Sequence, residues 1–207
     1  MIIPDLSLEK SLWEKGFANV AGVDGAGRGP LAGPVTAGAV VVHREKQVVS
    51  LVRDSKKMSS PQREKAFEEI KQRTTYGIGV VWQEEIDKIG IDFAVKKAMM
   101  LALSSVEENF GLEINYLIVD GIRTKSLEKY SSQKIKAGDL YHYSISAASV
   151  LAKVTRDRIM RDLSEKYPEY GFNKHVGYGT KAHFEALRAY GPCPIHRKTF
   201  LKRIIFS

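Results

Sequence analysis

The stretch NVAGVDGAGRGP at residues 19–30 joins a short apolar run to a glycine-rich turn. The apolar run is typical of a β-strand, and it places Asp24 at the strand's end, beside glycines whose missing Cβ lets a backbone approach a ligand closely. Arg28 projects from the same turn. A second apolar run, YLIVDG at 116–121, also ends in an aspartate, Asp120, followed by glycine. The sequence therefore predicts two strands that each present a carboxylate at one end.

The glycine turn matches a dinucleotide-binding fingerprint only in part. In the pattern G-x-G-x-x-G, counted from Gly25, Pro30 stands where the third glycine belongs. Residues 31–42 are predicted to be β-structure, whereas that fingerprint needs a helix whose N-terminus receives the phosphates. The Gly-Lys-Ser/Thr phosphate loop is also absent from the sequence. A nucleotide-cradling helix is therefore not expected here.

Two aspartates at strand ends are stronger evidence for a cation site than a single one. A single one is more often a turn residue than a ligand, but two on neighbouring strands converge and repel each other unless a cation lies between them. Donor sets made of oxygen alone favour Mg²⁺ or Mn²⁺. A third acid, Asp139, stands in KAGD at 136–139, just before the longest predicted helix. Its alternative role is that of a helix-entry turn.

Other catalytic classes find little support in the sequence. The histidines lack paired zinc-ligand spacing, no G-x-S-x-G serine motif is present, and Cys193-x-x-His196 is expected to be structural. A single cysteine excludes an intrachain disulfide and favours a reducing cytoplasm. No run approaches the roughly 20 apolar residues of a membrane helix, and the amino end does not resemble a secretory signal. We therefore expect no membrane partner.

The charge of the chain is concentrated at one end. The net charge is +8 over 207 residues; residues 1–151 hold 20 Lys and Arg against 19 Asp and Glu, whereas residues 152–207 hold 12 against 5. A concentrated positive surface suits a polyanion such as a nucleic acid, although a basic surface that serves solubility explains the charge about as well. Together with the acids, this charge favours metal-assisted phosphoryl chemistry on a polyanion.

The order of predicted elements indicates an α/β fold. Strands are predicted at 19–23, 35–42, 76–82 and 116–120. Helices are predicted over 63–71 with Ser60 as N-cap, over 92–110 with Asp92 as cap, over 144–166 and over 181–190. Interleaved strands and helices predict a sheet domain over residues 1–166, followed by a basic helical segment over 167–207. One undivided domain is the alternative.

Several motifs occur here in the order found in one family. The chain resembles the type 2 ribonucleases H (ribonuclease HII) over nearly its whole length. The motifs are GVDGAGRGPLAGPV at 22–35, DSKKMS at 54–59, IVDG at 118–121, GD at 138–139, SISAASVLAKVTRDRIM at 144–160, KHVGYGT at 174–180 and HRKTF at 196–200. The resemblance implies a ribonuclease H-like fold, in which helices flank a mixed five-stranded sheet. We expect a monomer that acts in the cytoplasm.

The resemblance also implies an activity and a set of site residues. The activity is hydrolysis of RNA in RNA–DNA hybrids, with incision 5′ to a ribonucleotide embedded in duplex DNA. Two divalent ions, Mg²⁺ or Mn²⁺, are held by four acids in the family, and Asp24, Asp120 and Asp139 match three of them. These three are the candidate catalytic and metal-binding residues. The candidate substrate-binding residues are Gly27, Arg28, Gly29, Lys56, Lys57, Lys153 and Tyr178.

Each substrate-binding candidate has an expected role. Arg28, with the backbone of its neighbouring glycines, is expected to contact the ribose 2′-hydroxyl, the group that distinguishes RNA from DNA. Tyr178 is expected to pack on the sugar after the junction, with a core tyrosine as the alternative. The lysines are expected to hold phosphates, with solvated positions as their alternative: Lys56, Lys57 and Lys153.

The chain departs from the family pattern at one position of the site. The pattern is Asp-Glu-x-Gly-Arg-Gly, and Gly25 stands where the glutamate belongs. Three carboxylates balance two divalent ions less well than four, so weaker metal affinity and weakened activity are expected. An inactivating change, a natural variant that works with three acids and a water, and replacement by another acid remain open; we favour the natural variant. Asp157 is available as a substitute, but it is expected to pair with Lys153 and Arg161.

Two other classes of function are weighed against the nuclease. The first is a catalytically impaired or inactive protein that binds hybrids, since the missing glutamate is consistent with lost hydrolysis. The second is a small-molecule phosphatase, which the basic C-terminal region disfavours because a small substrate needs no broad positive surface.

Overall fold

The sheet is mixed and five-stranded. The structure is a computed structural model and describes residues 2–43, 45–120, 127 and 129–205, without the side chains of 203–205. The strands are β1 (Val20–Ala26), β2 (Val35–Val41), β3 (Thr75–Val81), β4 (Tyr116–Asp120) and β5 (Ser131–Ile135). Their order is β3-β2-β1-β4-β5. The β3-β2-β1 part is antiparallel, whereas β4 runs parallel to both β1 and β5.

Helices cover both faces of this sheet, as expected. In chain order they are α1 (Ser7–Glu14), α2 (Ser60–Arg73), α3 (Gln83–Ile89), α4 (Ile91–Phe110), α5 (Gly138–Tyr141), α6 (Tyr143–Lys166), α7 (Phe172–His175), α8 (Lys181–Tyr190) and α9 (Lys198–Ile205). An apolar cluster with α4 covers one face, and a second cluster with α2 and α6 covers the other. No helix in the described part of the chain has the length and apolar character that crossing a bilayer requires.

The two long helices lie directly on the strands because glycines leave room for them. A Cβ at Gly38 of β2 would collide with the Ala148 carbonyl of α6. On the other face, a Cβ at Gly79 of β3 would collide with the Ala98 carbonyl of α4. This close approach brings the polar side of α6, including Lys153, beside the end of β1.

The element predictions are confirmed in outline and wrong in detail. The four predicted strands are present, and β1 runs on to Ala26. β5 was not predicted, because it is an edge strand of mostly polar residues without an apolar run. The predicted N-cap Ser60 is wrong: Ser59 caps α2, and its hydroxyl and amide pair reciprocally with Gln62. Asp92 lies in the first turn of α4 instead of capping it, since its carboxylate pairs with Arg28.

The C-terminal residues pack against the loop between β1 and β2. Gly33 donates its amide to the Ile195 carbonyl at 2.8 Å, and Arg197 donates its amide to the Leu31 carbonyl at 2.8 Å. An apolar cluster joins Ala32 of this loop to Phe172 and other residues of the tail. The division of the chain at residue 166 stays a prediction.

A chain of buried histidines crosses this C-terminal region. The Nε2 atoms of His183 and His196 lie 2.9 Å apart, and both rings are almost fully buried. The Cys193 amide donates to His196 Nδ1, so His196 carries its proton on Nε2 and donates to His183. His183 then donates from Nδ1 to the Tyr178 carbonyl at 2.9 Å. Both histidines are therefore neutral, and Cys193 and His196 have the structural role that was expected.

Burial and the neighbouring His183 lower the pKa of His196 to about 4. A histidine with a lowered folded-state pKa contributes its full stability above its unfolded pKa of about 6.5 and loses it as the pH falls towards 4. We expect urea unfolding to show a loss of about 1–3 kcal/mol between pH 7.5 and pH 4.5 from this group. The raised pKa of Asp24 changes the stability in the opposite direction over an overlapping pH range. The measurement therefore compares the wild type with H196Q, in which the Asp24 contribution is unchanged. A pH dependence that is identical in H196Q would contradict the expectation.

Candidate active site

Three carboxylates reach one cavity from three parts of the chain. In the β1–β4 ladder Val23 pairs with Val119, so Asp24 and Asp120 follow at the same end of adjoining parallel strands. Asp139 lies in the first turn of α5, where its amide is 3.5 Å from Asp120 Oδ2. The three aspartates line a cavity of about 610 Å³. The strand pairing on which their convergence depended is therefore present.

Most of the other site candidates line the same cavity, whereas Lys57 does not. Lys57 lines a smaller neighbouring cavity, with its Nζ 4.0 Å from an Asp54 oxygen, and its phosphate contact stays a prediction. The predicted residues at the main cavity are Gly27, Arg28, Gly29, Lys56, Lys153 and Tyr178. The residues there that were not singled out are Ala26, Ser55, Arg63, Ser149 and Arg156.

Burial and mutual repulsion disfavour the charged forms of two of these carboxyl groups. Burial is the main cause that raises the pKa of Asp24 to about 7, and the charges of Asp120 and Asp139 add to it. The Ser149 hydroxyl and the Gly25 amide oppose this shift by donating to Asp24. Burial and then Asp139 also raise the pKa of Asp120. The site therefore holds negative charge that a cation would stabilise.

One cation of the chain already compensates part of this charge. Lys56 follows Ser55 in the short 3₁₀ turn Ser55–Lys57 and places its Nζ 3.1 Å from Asp139 Oδ2. Burial lowers the pKa of Lys56, but the hydrogen bond and charge of Asp139 outweigh this and raise it. The lysine side chain is 78% exposed, so it is free to turn away from the carboxylate.

The donor set fits an oxygen-preferring divalent cation in chemistry. Three carboxylates, in a cavity whose described lining contains no sulfur or imidazole, match Mg²⁺ or Mn²⁺. Within the described ranges, no group of three or more His, Cys, Asp or Glu side chains is already arranged around a single point as metal ligands. Asp139 meets Lys56, and Asp24 Oδ1 accepts the Gly25 amide at 2.7 Å. Binding an ion thus requires local rearrangement of these side chains.

Gly25 stands where the fourth acid is expected, and the surroundings of its backbone show whether a side chain fits there. A Cβ there would lie 3.4 Å from the Thr36 carbonyl oxygen and 3.6 Å from side-chain atoms of Val95 and Met99, which are ordinary contacts. These residues belong to β2 and α4, so a side chain at position 25 starts on the sheet face opposite the one that Asp24 faces. The position can therefore accept a larger residue.

Asp157 does not take the place of that acid. Its carboxylate is 2.8 Å from Lys153 Nζ, as predicted, and 4.0 Å from Arg63. The predicted side-chain pair with Arg161 is wrong, because Arg161 reaches Glu64 of α2 at 2.5 Å instead. α2 packs beside α6, and its Glu64 carboxylate could not be identified as a partner from residue spacing within α6 alone.

The glycine loop and Tyr178 line the same cavity as the acids. Arg28 pairs with Asp92 at 2.5 Å at the exposed rim. Tyr178 is 44% exposed, which excludes the alternative of a core tyrosine. A Cβ at Gly29 would lie 3.6 Å from the Tyr178 ring. The loop backbone at Gly29 and the aromatic ring therefore lie side by side at an exposed part of the cavity.

Two arginines that the sequence analysis did not single out support the loops of this cavity. Arg63 donates to the carbonyls of Ser55 and Met58, at 3.1 and 2.5 Å, and so holds the turn that carries Lys56. Arg156 lies under the glycine loop, one α6 turn from Lys153. Its position three residues after Lys153 was a usable clue, because residues three apart share a helix face.

Comparison with known proteins gives consistent results. The profile of the family described as Ribonuclease HII matches residues 21–206. A Ribonuclease HII of Caldicellulosiruptor bescii is 47% identical over 199 residues, which are 96% of this chain and 94% of that protein. The ribonuclease H2 structure from Pyrococcus horikoshii is 32% identical, with a TM-score of 0.69 over 87% of this chain and 93% of that one. A chain of the PCNA:RNase HII complex from Archaeoglobus fulgidus is 25% identical, with a TM-score of 0.73 over 87% and 94%.

The raised pKa of Asp24 predicts a stability gain on neutralisation. An acid with a raised folded-state pKa contributes stability below its unfolded pKa of about 3.8 and loses it as the pH rises through about 7. In EDTA at pH 8, D24N should be more stable to urea than the wild type by about 1–3 kcal/mol, and this gain should nearly vanish at pH 4.

D157N is the matched control for that measurement. It removes a carboxylate that is paired with Lys153, so it should show no gain at pH 8. An equal gain of D24N at both pH values would contradict the assigned cause.

Proposed function

Because the chain belongs to the ribonuclease HII family, we propose that it is a metal-dependent endonuclease that hydrolyses RNA in RNA–DNA hybrids and incises 5′ to ribonucleotides embedded in duplex DNA. The observation that carries the proposal is the approach of Asp24, Asp120 and Asp139 to one cavity, which a glycine loop and an exposed tyrosine also line. An action in the cytoplasm and as a monomer stays a prediction.

The three aspartates are the proposed ligands of two divalent ions, Mg²⁺ or Mn²⁺. When bound, such ions would activate a water for in-line attack on the phosphodiester and stabilise the departing 3′ oxygen. Asp24 would be the ligand common to both ions, and its position at the end of β1 beside Asp120 on the adjoining strand supports this. Asp120 and Asp139 would each hold one ion. The nearby Ser149 hydroxyl would help to hold the Asp24 carboxylate in place.

The glycine loop and Tyr178 are proposed to recognise the substrate. The backbone of Gly27 and Gly29, with Arg28, contacts the ribose 2′-hydroxyl, and Tyr178 packs on the following sugar. The exposure of the Tyr178 ring and of Arg28 and Gly29 supports these roles, whereas Gly27 is buried. Lys153 lines the same cavity and is within reach of a phosphate once it releases Asp157.

Lys56 is proposed to act in two states. In the free protein it compensates Asp139, which keeps the three carboxylates from repelling each other fully. With a divalent cation bound at the carboxylates, the Lys56 ammonium would be free to turn towards a backbone phosphate. The large exposure of the lysine side chain, and the one ion pair that its Nζ makes among the described residues, support this exchange.

A catalytically impaired protein that binds hybrids is the second candidate, and Gly25 is the observation that favours it. Among the described residues that line the cavity, the carboxylates are Asp24, Asp120 and Asp139, and Asp157 is held by Lys153 and Arg63. Nicking separates the two candidates, because a binder shifts a labelled duplex on a gel without forming product.

Asp120→Asn tests the proposed ligand set. On a labelled duplex with one ribonucleotide, we expect the wild type to produce a nick in Mg²⁺ or Mn²⁺ and D120N to be slower by at least about a hundredfold, because one ligand loses its charge. D162N removes an exposed acid of α6 and should cleave like the wild type. Equal rates for D120N and the wild type in both metals would exclude Asp120 as a ligand.

Gly25→Glu tests the missing fourth acid. The ordinary contacts of a Cβ at this position predict that G25E folds. The Cβ starts on the α4 side of the sheet, but Gly25 lines the cavity near the end of β1, so the longer glutamate side chain is expected to bring its carboxylate back to the other acids. We expect G25E to cleave faster than the wild type by about tenfold or more and to need less Mg²⁺, because the fourth carboxylate balances the second ion. G25Q has the same length without the charge and should not show the gain. Unchanged activity in G25E would mean that another group already serves in that role.

A further inference from the structure

Two buried arginines lie directly beneath the glycine loop. Arg156 and Arg197 are 1% and 0% exposed. Arg197 donates from Nη2 to the carbonyls of Gly27 and Pro34, at 2.7 and 3.0 Å, and from Nη1 to the Arg28 carbonyl at 3.1 Å. Its Nε donates to Gly33. The loop carbonyls thus converge on one guanidinium.

Arg156 continues this support from α6. Its Nε donates to the Pro34 carbonyl at 2.9 Å, its Nη2 to the Ala32 carbonyl at 3.0 Å and its Nη1 to the Val176 carbonyl at 2.8 Å. The packing is close enough that a Cβ at Gly27 would collide with Arg156 Nε. The loop conformation and the guanidinium therefore depend on each other.

The hydrogen bonds that these two arginines donate in the described part of the chain all go to backbone carbonyls, and each guanidinium also lies near an aromatic ring, Tyr178 for Arg156 and Phe200 for Arg197. The ion pairs of the described residues do not include Arg156 or Arg197, and their hydrogen bonds all end on carbonyl oxygens. Burial lowers the pKa of Arg156 to about 10, and burial with the repulsion of Arg156 lowers that of Arg197 to about 9. Both stay charged at neutral pH. A buried charge without a carboxylate partner is costly for stability, which favours a role in function.

The direction of the peptide groups connects the arginines to the cavity. A trans peptide is planar, so its C=O and N–H point in opposite directions. Arg197 holds the Gly27 and Arg28 carbonyls towards the interior, and the amides of the same two peptide groups, those of Arg28 and Gly29, consequently point the other way. Arg28 and Gly29 are exposed and line the cavity, and their amides donate no hydrogen bond within the described chain.

We propose that Arg197 and Arg156 are positioning residues that aim the Arg28 and Gly29 amides into the cavity and thereby set the preference for a ribose over a deoxyribose. Two preoriented N–H groups can donate to a 2′-hydroxyl oxygen, whereas a deoxyribose offers no acceptor there. The inference rests on the proposed function, because Arg197 and Arg156 support the glycine loop that is proposed there to contact the ribose.

R197K tests this inference while keeping the charge. An ammonium has no planar fork and cannot hold the four carbonyls together. Two duplexes that differ by one 2′-hydroxyl are bound in EDTA and followed by fluorescence anisotropy. We expect the ratio of the Kd for all-DNA to the Kd for the ribonucleotide duplex to fall by about fivefold or more in R197K. The affinity for the all-DNA duplex should stay the same.

R158K and R156K complete the experiment. Arg158 pairs with Glu64 and Glu68 away from the cavity, so R158K should keep the wild-type ratio. R156K should lower the ratio as R197K does, and it gives the same test if R197K fails to fold. A variant that loses thermal stability and keeps the wild-type ratio overturns the inference, because the arginines are then only structural.

The wild type separates this inference from the proposed function. Absent metal-dependent nicking of the ribonucleotide duplex would refute the proposed function. Nicking by a wild type that binds both duplexes equally would overturn the inference alone. A wild-type preference that R197K loses supports both.

Discussion

The parallel pairing of β1 with β4 places two carboxylates side by side at one end of the sheet. Burial there makes their charge costly, and Asp139 at the start of α5 adds a third acid to the same cavity. The carboxylates repel each other in the folded chain, and the Lys56 ammonium compensates part of this repulsion. Strain of this kind is typical of functional sites, because the free energy that repulsion removes from folding becomes affinity for a cation.

The glycine loop lies over groups of the opposite charge. Arg156 and Arg197 keep two positive charges beneath the glycine loop, where neutral carbonyls solvate them without cancelling them. A polyanion that enters the cavity would meet this cationic support and, in the same lining, the carboxylates of Asp24, Asp120 and Asp139.

Neighbours in sequence face different surroundings at the end of β1. Asp24 receives the Ser149 hydroxyl of α6, whereas position 25 faces Val95 and Met99 of α4. Alternation along a strand therefore separates the aspartate from the position of the missing acid. The C-terminal residues also support the cavity from a distance. The hydrogen bonds that lead from His196 through His183 end on the Tyr178 carbonyl, and Tyr178 lines the cavity.

The sequence by itself determined the family, four of the five strands and the three aspartates with the glycine turn, because short apolar runs, helical spacing and local motifs depend on neighbouring residues. Tertiary structure decided what depends on distant residues. The edge strand β5 has no apolar run and exists through its pairing with β4. Arg161 pairs with Glu64 of another helix, and Arg197 contacts carbonyls more than 160 residues away. Such contacts are created by packing, and local sequence patterns carry no record of them.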